Sequence, residues 1–159
     1  MHATRMATRM AMRLAMGERA PMLARMGAGL AAGLAVTATA TAACGDALPA
    51  AGRQRLEAPG LTLVFAPRPA PVPLGRPFAL AIQLCPAQGQ PPPDRLAVDA
   101  EMPAHRHGMN YRPTVTAQGD GRFVAEGLMF HMPGHWRLRF DIPRAAGQPP
   151  LRLSADLTL

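Results

Sequence analysis

The stretch WRLRFDI, residues 136–142, alternates large apolar side chains with charged ones. Successive side chains of a β-strand point to opposite faces of a sheet, so this alternation predicts an antiparallel strand with one buried and one solvated face. The stretch LRLSADLTL, residues 151–159, repeats the pattern after a segment that contains Pro and Gly. The two stretches therefore predict paired strands in one sheet.

Five further apolar segments of strand length lie upstream, and Gly or Pro residues bound nearly all of them. Seven short strands in about 100 residues predict an all-β fold, an immunoglobulin-like antiparallel β-sandwich, and a small barrel is the alternative. The chain would then consist of a signal peptide (1–43), a tether (44–59) and the sandwich domain (60–159). The predicted strands cover residues 61–65, 78–84, 96–102, 113–117, 122–130, 136–142 and 151–159.

The basic residues fall into two groups. Five of the 17 basic residues precede Cys44 against one acid, Glu18, and an uncharged run at 27–43 follows them. This order is typical of a secretory signal, and the apolar run is too short for a permanent membrane span. The rest of the chain has a small, dispersed positive excess without interleaved aromatic residues, which argues against nucleic acid as a partner.

The run Thr41-Ala42-Ala43-Cys44 resembles a bacterial lipobox, with Thr41 where Leu is usual. We predict lipidation of Cys44, which converts its sulfur to a thioether and leaves Cys85 as the only free thiol. The alternative is simple signal cleavage nearby, with a Cys44–Cys85 disulfide in an oxidising periplasm. Either way, the sequence predicts a protein on the periplasmic side of a bacterial membrane, lipid-anchored or secreted.

Two short segments, residues 102–109 and 131–135, hold all four histidines that follow Cys44 and three of the methionines. Imidazole and thioether groups together are copper ligands, and thioethers select the softer Cu(I) over Cu(II). Zinc is the competing metal, but Met is a poor zinc ligand. The candidate metal ligands are His105, His107, Met109, His131, His135, Met102 and Met132.

The predicted topology brings these two segments together. Successive connections in a seven-strand sandwich alternate between two poles, so residues 102–112 and 131–135 should lie at the same pole. Cys85 should lie at the opposite pole, which removes it as a ligand. In an extended backbone His105, His107 and Met109 would share one face. Trp136 is expected in the core.

Each candidate ligand also has an interpretation without metal. The histidines of 102–109 would cap the loop through hydrogen bonds while the methionines fill the core. His131 and His135 would be exposed loop residues, or would donate hydrogen bonds to the ligands without binding the ion.

The motif Met-Pro-x-His-x-His-Gly-Met, then Gly-x-Phe and Gly-Leu-x-Phe-x-Met-Pro-Gly-x-Trp-x-Leu, resembles the YtkA-like and FixH-like group. The resemblance covers residues 60–159 and is strongest over 98–142. It implies an exported or membrane-tethered bacterial β-sandwich linked to copper handling or oxidase assembly. It also implies that the seven candidate ligands are the residues that matter.

We therefore expect a lipid-anchored copper carrier or chaperone that hands the ion to a membrane-protein or copper-enzyme partner. The alternative is a non-catalytic protein-interaction module that uses the same Met-rich pole without metal. The chain has no Gly-x-Ser-x-Gly motif, no phosphate loop and no nucleophile beside a His, so we expect no enzymatic activity. The oligomeric state stays open.

Overall fold

The computed structural model describes residues 42–159. Residues 1–41, which carry most of the predicted signal peptide, lie outside the described residues. The described part contains nine strands and no helix, and hence no helix suited to crossing a membrane. The strands are β1 (Gln54–Ala58), β2 (Leu61–Arg68), β3 (Phe78–Pro86), β4 (Ala97–Met102), β5 (His107–Gly108), β6 (Thr114–Gly119), β7 (Arg122–Leu128), β8 (His135–Ile142) and β9 (Leu151–Thr158).

The strands form two antiparallel sheets that pack as a sandwich. One sheet has the order β1-β2-β3-β7-β6 and the other the order β5-β4-β8-β9. The predicted all-β sandwich is confirmed, and the seven predicted strands correspond to β2, β3, β4, β6, β7, β8 and β9. The strands β1 and β5, one at an edge of each sheet, were not predicted.

Strand β8 supplies the centre of the core, as its alternation predicts. Trp136, Leu138 and Phe140 are fully buried, whereas the charged residues between them are half-buried on the outer face. The Phe140 ring lies 5.1 Å from the Phe65 ring of β2 in the opposite sheet. The apolar sides of the two sheets therefore meet in one core.

The predicted tether over residues 44–59 is wrong in its second half. Strand β1 lies in this range and pairs with β2 over its whole length. Its inner face is only half-buried and Leu56 is its one large apolar residue, so the alternation was too weak to recognise. Upstream of β1, Gly45 is buried so closely against Val64 that a Cβ at this position would overlap the Val64 side chain. These residues belong to the domain.

Cys44 and Cys85 form a disulfide. A sulfur in a disulfide cannot also carry a thioether-linked lipid, so the predicted lipidation of Cys44 is wrong and the alternative Cys44–Cys85 pairing is present. Signal cleavage stays a prediction. Cys85 lies near the end of β3, whose opposite end pairs Phe78 with Leu128. We call the end of the sandwich that holds Cys44, Cys85 and the β6–β7 turn at Gly121 the disulfide pole.

Candidate metal centre

The first Met/His segment folds as a tight hairpin. Strand β4 ends at Met102, the turn covers residues 103–106, and β5 returns with His107 opposite Met102. The backbone N–H of His105 donates to the carbonyl of Met102 across the turn, at 3.1 Å. Opposite residues of an antiparallel pair point to the same face, so His107 lies on the inner side with Met102. The condition under which His105, His107 and Met109 would share a face, an extended backbone, is not met, because His105 is in the turn.

The second segment makes a corner between β7 and β8, on the opposite sheets. The indole N–H of Trp136 donates to the carbonyl of Met132 at 3.0 Å. Gly134 exchanges two backbone hydrogen bonds of 3.1 Å with Leu159. A Cβ at Gly134 would lie 2.9 Å from the terminal methyl of Met102, so the Met102 side chain lies directly against this corner. The two segments share one end of the sandwich, which we call the Met/His pole.

Three histidines form an imidazole cluster at this pole: His105, His107 and His131. The ring of His107 is central, with centroid distances of 5.8 Å to His105 and 5.3 Å to His131. Trp136 forms the wall of the cluster, since its ring lies 6.0 Å from His107 and 5.4 Å from His131. The predicted meeting of the two segments is confirmed.

The cluster holds ring nitrogens that are suited to bind an ion. Nδ1 of His131 is buried and has no hydrogen-bond partner among residues 42–159. Nδ1 of His107 lies 3.0 Å from the carbonyl of Gly108. A carbonyl only accepts, so in the neutral ring of His107 this contact places the proton on Nδ1 and leaves the lone pair of Nε2 available.

His135 lies apart from the imidazole cluster. It is the first residue of β8 and therefore points to the outer face, where its Nε2 lies 3.3 Å from Oδ1 of Asp156. The Arg137 guanidinium donates to the same carboxylate. This hydrogen bond is the main reason why the pKa of Asp156 is lowered, and His135 contributes less. The alternation pattern predicts a strand from Trp136 and therefore His135 in the loop, but β8 begins one residue earlier.

The three candidate methionines differ in burial. Met102 is fully buried in the core, and Met109 and Met132 are half-buried and pack against it. Met132 directly follows His131 in the chain. Met109 lies two residues after His107, just past the edge strand β5. Met102 therefore packs in the core, as in its interpretation without metal. Met109 and Met132 keep part of their surface exposed.

The spacing of the imidazole rings fits a shared ion. A nitrogen bonded about 2 Å from a metal places two rings on one ion with centroids roughly 5–6 Å apart. Both centroid distances from His107 fall in this range. Within residues 42–159, no group of three or more His, Cys, Asp or Glu side chains is arranged to hold a metal ion. The imidazoles alone do not make a complete site, and a copper ligand set here would need a thioether or a rotated ring.

A further feature beside the cluster was not anticipated from the sequence. Arg139 donates to both Asp99 and Glu101 at 2.9 and 3.0 Å, on the outer face of β4 and β8. This group lines a cavity of about 480 Å³ that also includes Arg106 and His107. The alternation in 136–142 predicted that Arg139 points outward, but no sequence signal identified its two partners across the sheet.

Comparisons with known proteins give only distant structural neighbours. No family model and no curated protein matches the chain. A DUF4426 family protein from Pseudomonas aeruginosa is similar in structure, with a TM-score of 0.47 and 10% identity, over 68% of this chain and 94% of that chain. FetP from uropathogenic E. coli strain F11, as isolated, has a TM-score of 0.45 and 8% identity, over 67% of this chain and 92% of that one.

A copper-bound variant of the same FetP has a TM-score of 0.46 and 10% identity, over 67% of this chain and 94% of that chain. The YtkA-like and FixH-like resemblance stays a prediction.

Proposed function

We propose that this protein is an exported copper carrier that binds one copper ion at the Met/His pole. The observation that supports this proposal most is the buried Nδ1 of His131, which lacks a partner among residues 42–159 and lies in a ring 5.3 Å from that of His107. A buried polar atom without a partner costs about 1–3 kcal/mol. Binding of a metal ion by this nitrogen would remove that cost.

The donor types favour Cu(I) over zinc. His107 and His131 would supply two imidazole nitrogens, and His105, Met109 and Met132 are the nearest further donors along the two segments. A set that mixes imidazole and thioether selects Cu(I), whereas zinc prefers sites made of His, Cys and carboxylates. Imidazoles bind metal only when neutral, so acid should weaken copper binding.

The exposure of the cluster suits transfer rather than storage. His105 is exposed at the tip of the β4–β5 hairpin and His107 is half-buried, whereas Trp136 closes the inner side of the site. An incoming ligand from a partner can therefore reach an ion from the outside without opening the core. We propose that the partner is a membrane protein or a copper enzyme, and we propose no catalytic role for this chain.

Export is supported by two features. Disulfides persist in oxidising compartments such as the bacterial periplasm, and Cys44 and Cys85 form one here. The five Arg residues and the uncharged run that precede Cys44 have the order of a secretory signal. We propose a periplasmic location on these grounds.

The test is a titration of the protein against a chromogenic Cu(I) chelator. We expect the wild-type protein to withdraw one equivalent of Cu(I), and a His105→Ala, His107→Ala double variant to lose this ability. His135→Ala is the matched control, since this imidazole lies outside the cluster and should leave binding unchanged. A wild-type protein that cannot compete at micromolar copper would refute the proposal.

The alternative of a Met-rich docking surface has less support in the structure. Met102 is fully buried, and Met109 and Met132 are half-buried, so little thioether surface is open for a partner. A pull-down from a periplasmic extract, with and without chelator, separates the two functions. Equal capture of a partner in both conditions would favour docking without metal.

A further inference from the structure

The residues around Cys44 form a closed turn that begins at Ala43. The backbone N–H of Ala43 donates to Oδ2 of Asp46 at 2.8 Å, and the N–H of Asp46 donates back to the carbonyl of Ala43 at 3.1 Å. Arg53 holds the turn from the other side, with a hydrogen bond of 2.9 Å to the carbonyl of Gly45. The Asp46 carboxylate is therefore aimed at the nitrogen of Ala43.

The sequence before this turn has the pattern that signal peptidases cut. Ala40-Thr41-Ala42 places small residues at the first and third positions before the bond between Ala42 and Ala43. Ala42 and Ala43 are both exposed. The sequence pattern and the turn are independent observations, and both point to the Ala42–Ala43 bond.

We propose that the Ala42–Ala43 peptide bond is the processing site of this protein, cut by a signal peptidase that recognises small residues. Water adds across the bond, so that Ala42 ends in a carboxylate and Ala43 begins with an amine, which takes up a proton. The new ammonium lies where the Ala43 N–H already donates to Asp46, and this contact becomes a charge-assisted hydrogen bond. The mature protein is then released with its Cys44–Cys85 disulfide and without an anchor.

Lipoprotein processing would differ both in the peptide bond that is cut and in the fate of the Cys44 sulfur. It would cut the next bond, between Ala43 and Cys44, and attach an acyl glyceride to the sulfur of Cys44. That product has no Ala43 to contact Asp46, and its Cys44 sulfur cannot bond to Cys85. The two routes are therefore mutually exclusive, and neither depends on whether the Met/His pole binds copper.

The experiment is intact-mass analysis and N-terminal sequencing of the full chain after export in a bacterial host, without reducing agent. We expect a single species that begins at Ala43, lacks acyl groups and is lighter by two hydrogens than the reduced form. An acylated N-terminal Cys44, or a mature N-terminus at any other residue, would overturn the proposal.

Three variants test the route. Ala42→Phe should lose cleavage at this bond, because a large residue replaces the small one next to it. Ala47→Phe, at an exposed position beyond the bond, should be cut normally. Cys44→Ser should still be cut after Ala42, since this route does not use the thiol. Loss of processing in Cys44→Ser, or unchanged cleavage in Ala42→Phe, would contradict the proposal.

Discussion

The two poles of the sandwich are held together in different ways. At the disulfide pole, Cys44 is bonded to Cys85, and the N–H of Leu84 donates to the carbonyl of Gly121 at 2.8 Å. At the Met/His pole, three imidazoles meet, two of them against Trp136, and one buried ring nitrogen has no partner among residues 42–159. The first pole fixes the chain through covalent and backbone contacts. The second leaves side-chain donors free. We therefore expect changes at the disulfide pole to affect stability and changes at the Met/His pole to affect ligand binding.

Loss of the disulfide should have the largest effect on stability. It closes a loop with a sequence separation of 41 residues, for which the chain-entropy model gives about 4 kcal/mol. We expect a Cys44→Ser, Cys85→Ser variant to lose about 2–5 kcal/mol in urea unfolding. Its copper affinity should equal that of the wild-type protein. A parallel loss of copper binding would show that the poles are coupled.

Two glycines with positive φ, one at each pole, should differ in their tolerance of a methyl group. A Cβ at Gly121 would overlap the backbone carbonyl of Leu84, whereas a Cβ at Gly134 would meet only the flexible end of Met102. We expect Gly121→Ala to cost about 3 kcal/mol and Gly134→Ala about 1–2 kcal/mol in the same unfolding measurement. Gly147→Ala is the control for backbone strain alone, because a Cβ there meets open space.

Equal losses at Gly121 and Gly134 would show that strain, and not the contact, sets the cost. Gly134→Ala should also displace the Met102 methyl, which is visible as a changed methyl resonance in NMR.

His131, before β8, and His135, the first residue of β8, should differ in their effect on copper. His131 belongs to the imidazole cluster, whereas His135 contacts Asp156 on the outer face. We expect His131→Ala to weaken Cu(I) binding at least tenfold, which corresponds to about 1.4 kcal/mol. His135→Ala should change it by less than the error of chelator competition. The reverse order would place the site on the outer face of β8.

The smallest effect should come from the surface ion pair of Arg137 and Asp156. Their hydrogen bond lowers the pKa of Asp156 below the ordinary value of 3.8. Because the folded pKa is lowered, the carboxylate adds stability above the ordinary value and loses it as the pH falls through the lowered one.

In Arg137→Gln, the pKa of Asp156 should rise toward its ordinary value in a carboxyl-carbon NMR titration. Arg122→Gln, whose Arg pairs with Asp120 near the disulfide pole, should leave it unchanged. An unaltered pKa in Arg137→Gln would show that this ion pair is not formed in solution.

The sequence predicted most of the fold because strand alternation is a local property. The pattern in 136–142 was enough to assign Trp136 to the core and Arg139 to the outer face, and both are confirmed. The alternation of connections between poles correctly separated Cys85 from the histidines. Strand β1 was missed because an edge strand with one large apolar residue buries too little to show a period.

The site was predicted less completely, because tertiary contacts determine it. A four-residue turn places His105 outside β5. Pro103 indicates where β4 ends, but no residue in the segment indicates that the chain returns as β5. The run before Cys44 favoured lipidation, but the position of Cys85 at the end of β3 depends on strand register. The pairing of His135 with Asp156 likewise follows from the register of β8 and β9.

The most direct test of the central claim is an NMR titration of the histidine ring nitrogens with Cu(I), which is diamagnetic. We predict that one equivalent shifts the resonances of His107 and His131, with His105 responding as their exposed neighbour, while those of His135 stay in place. Unshifted resonances for His107 and His131 at one equivalent, or a response confined to His135, would contradict copper binding at the Met/His pole.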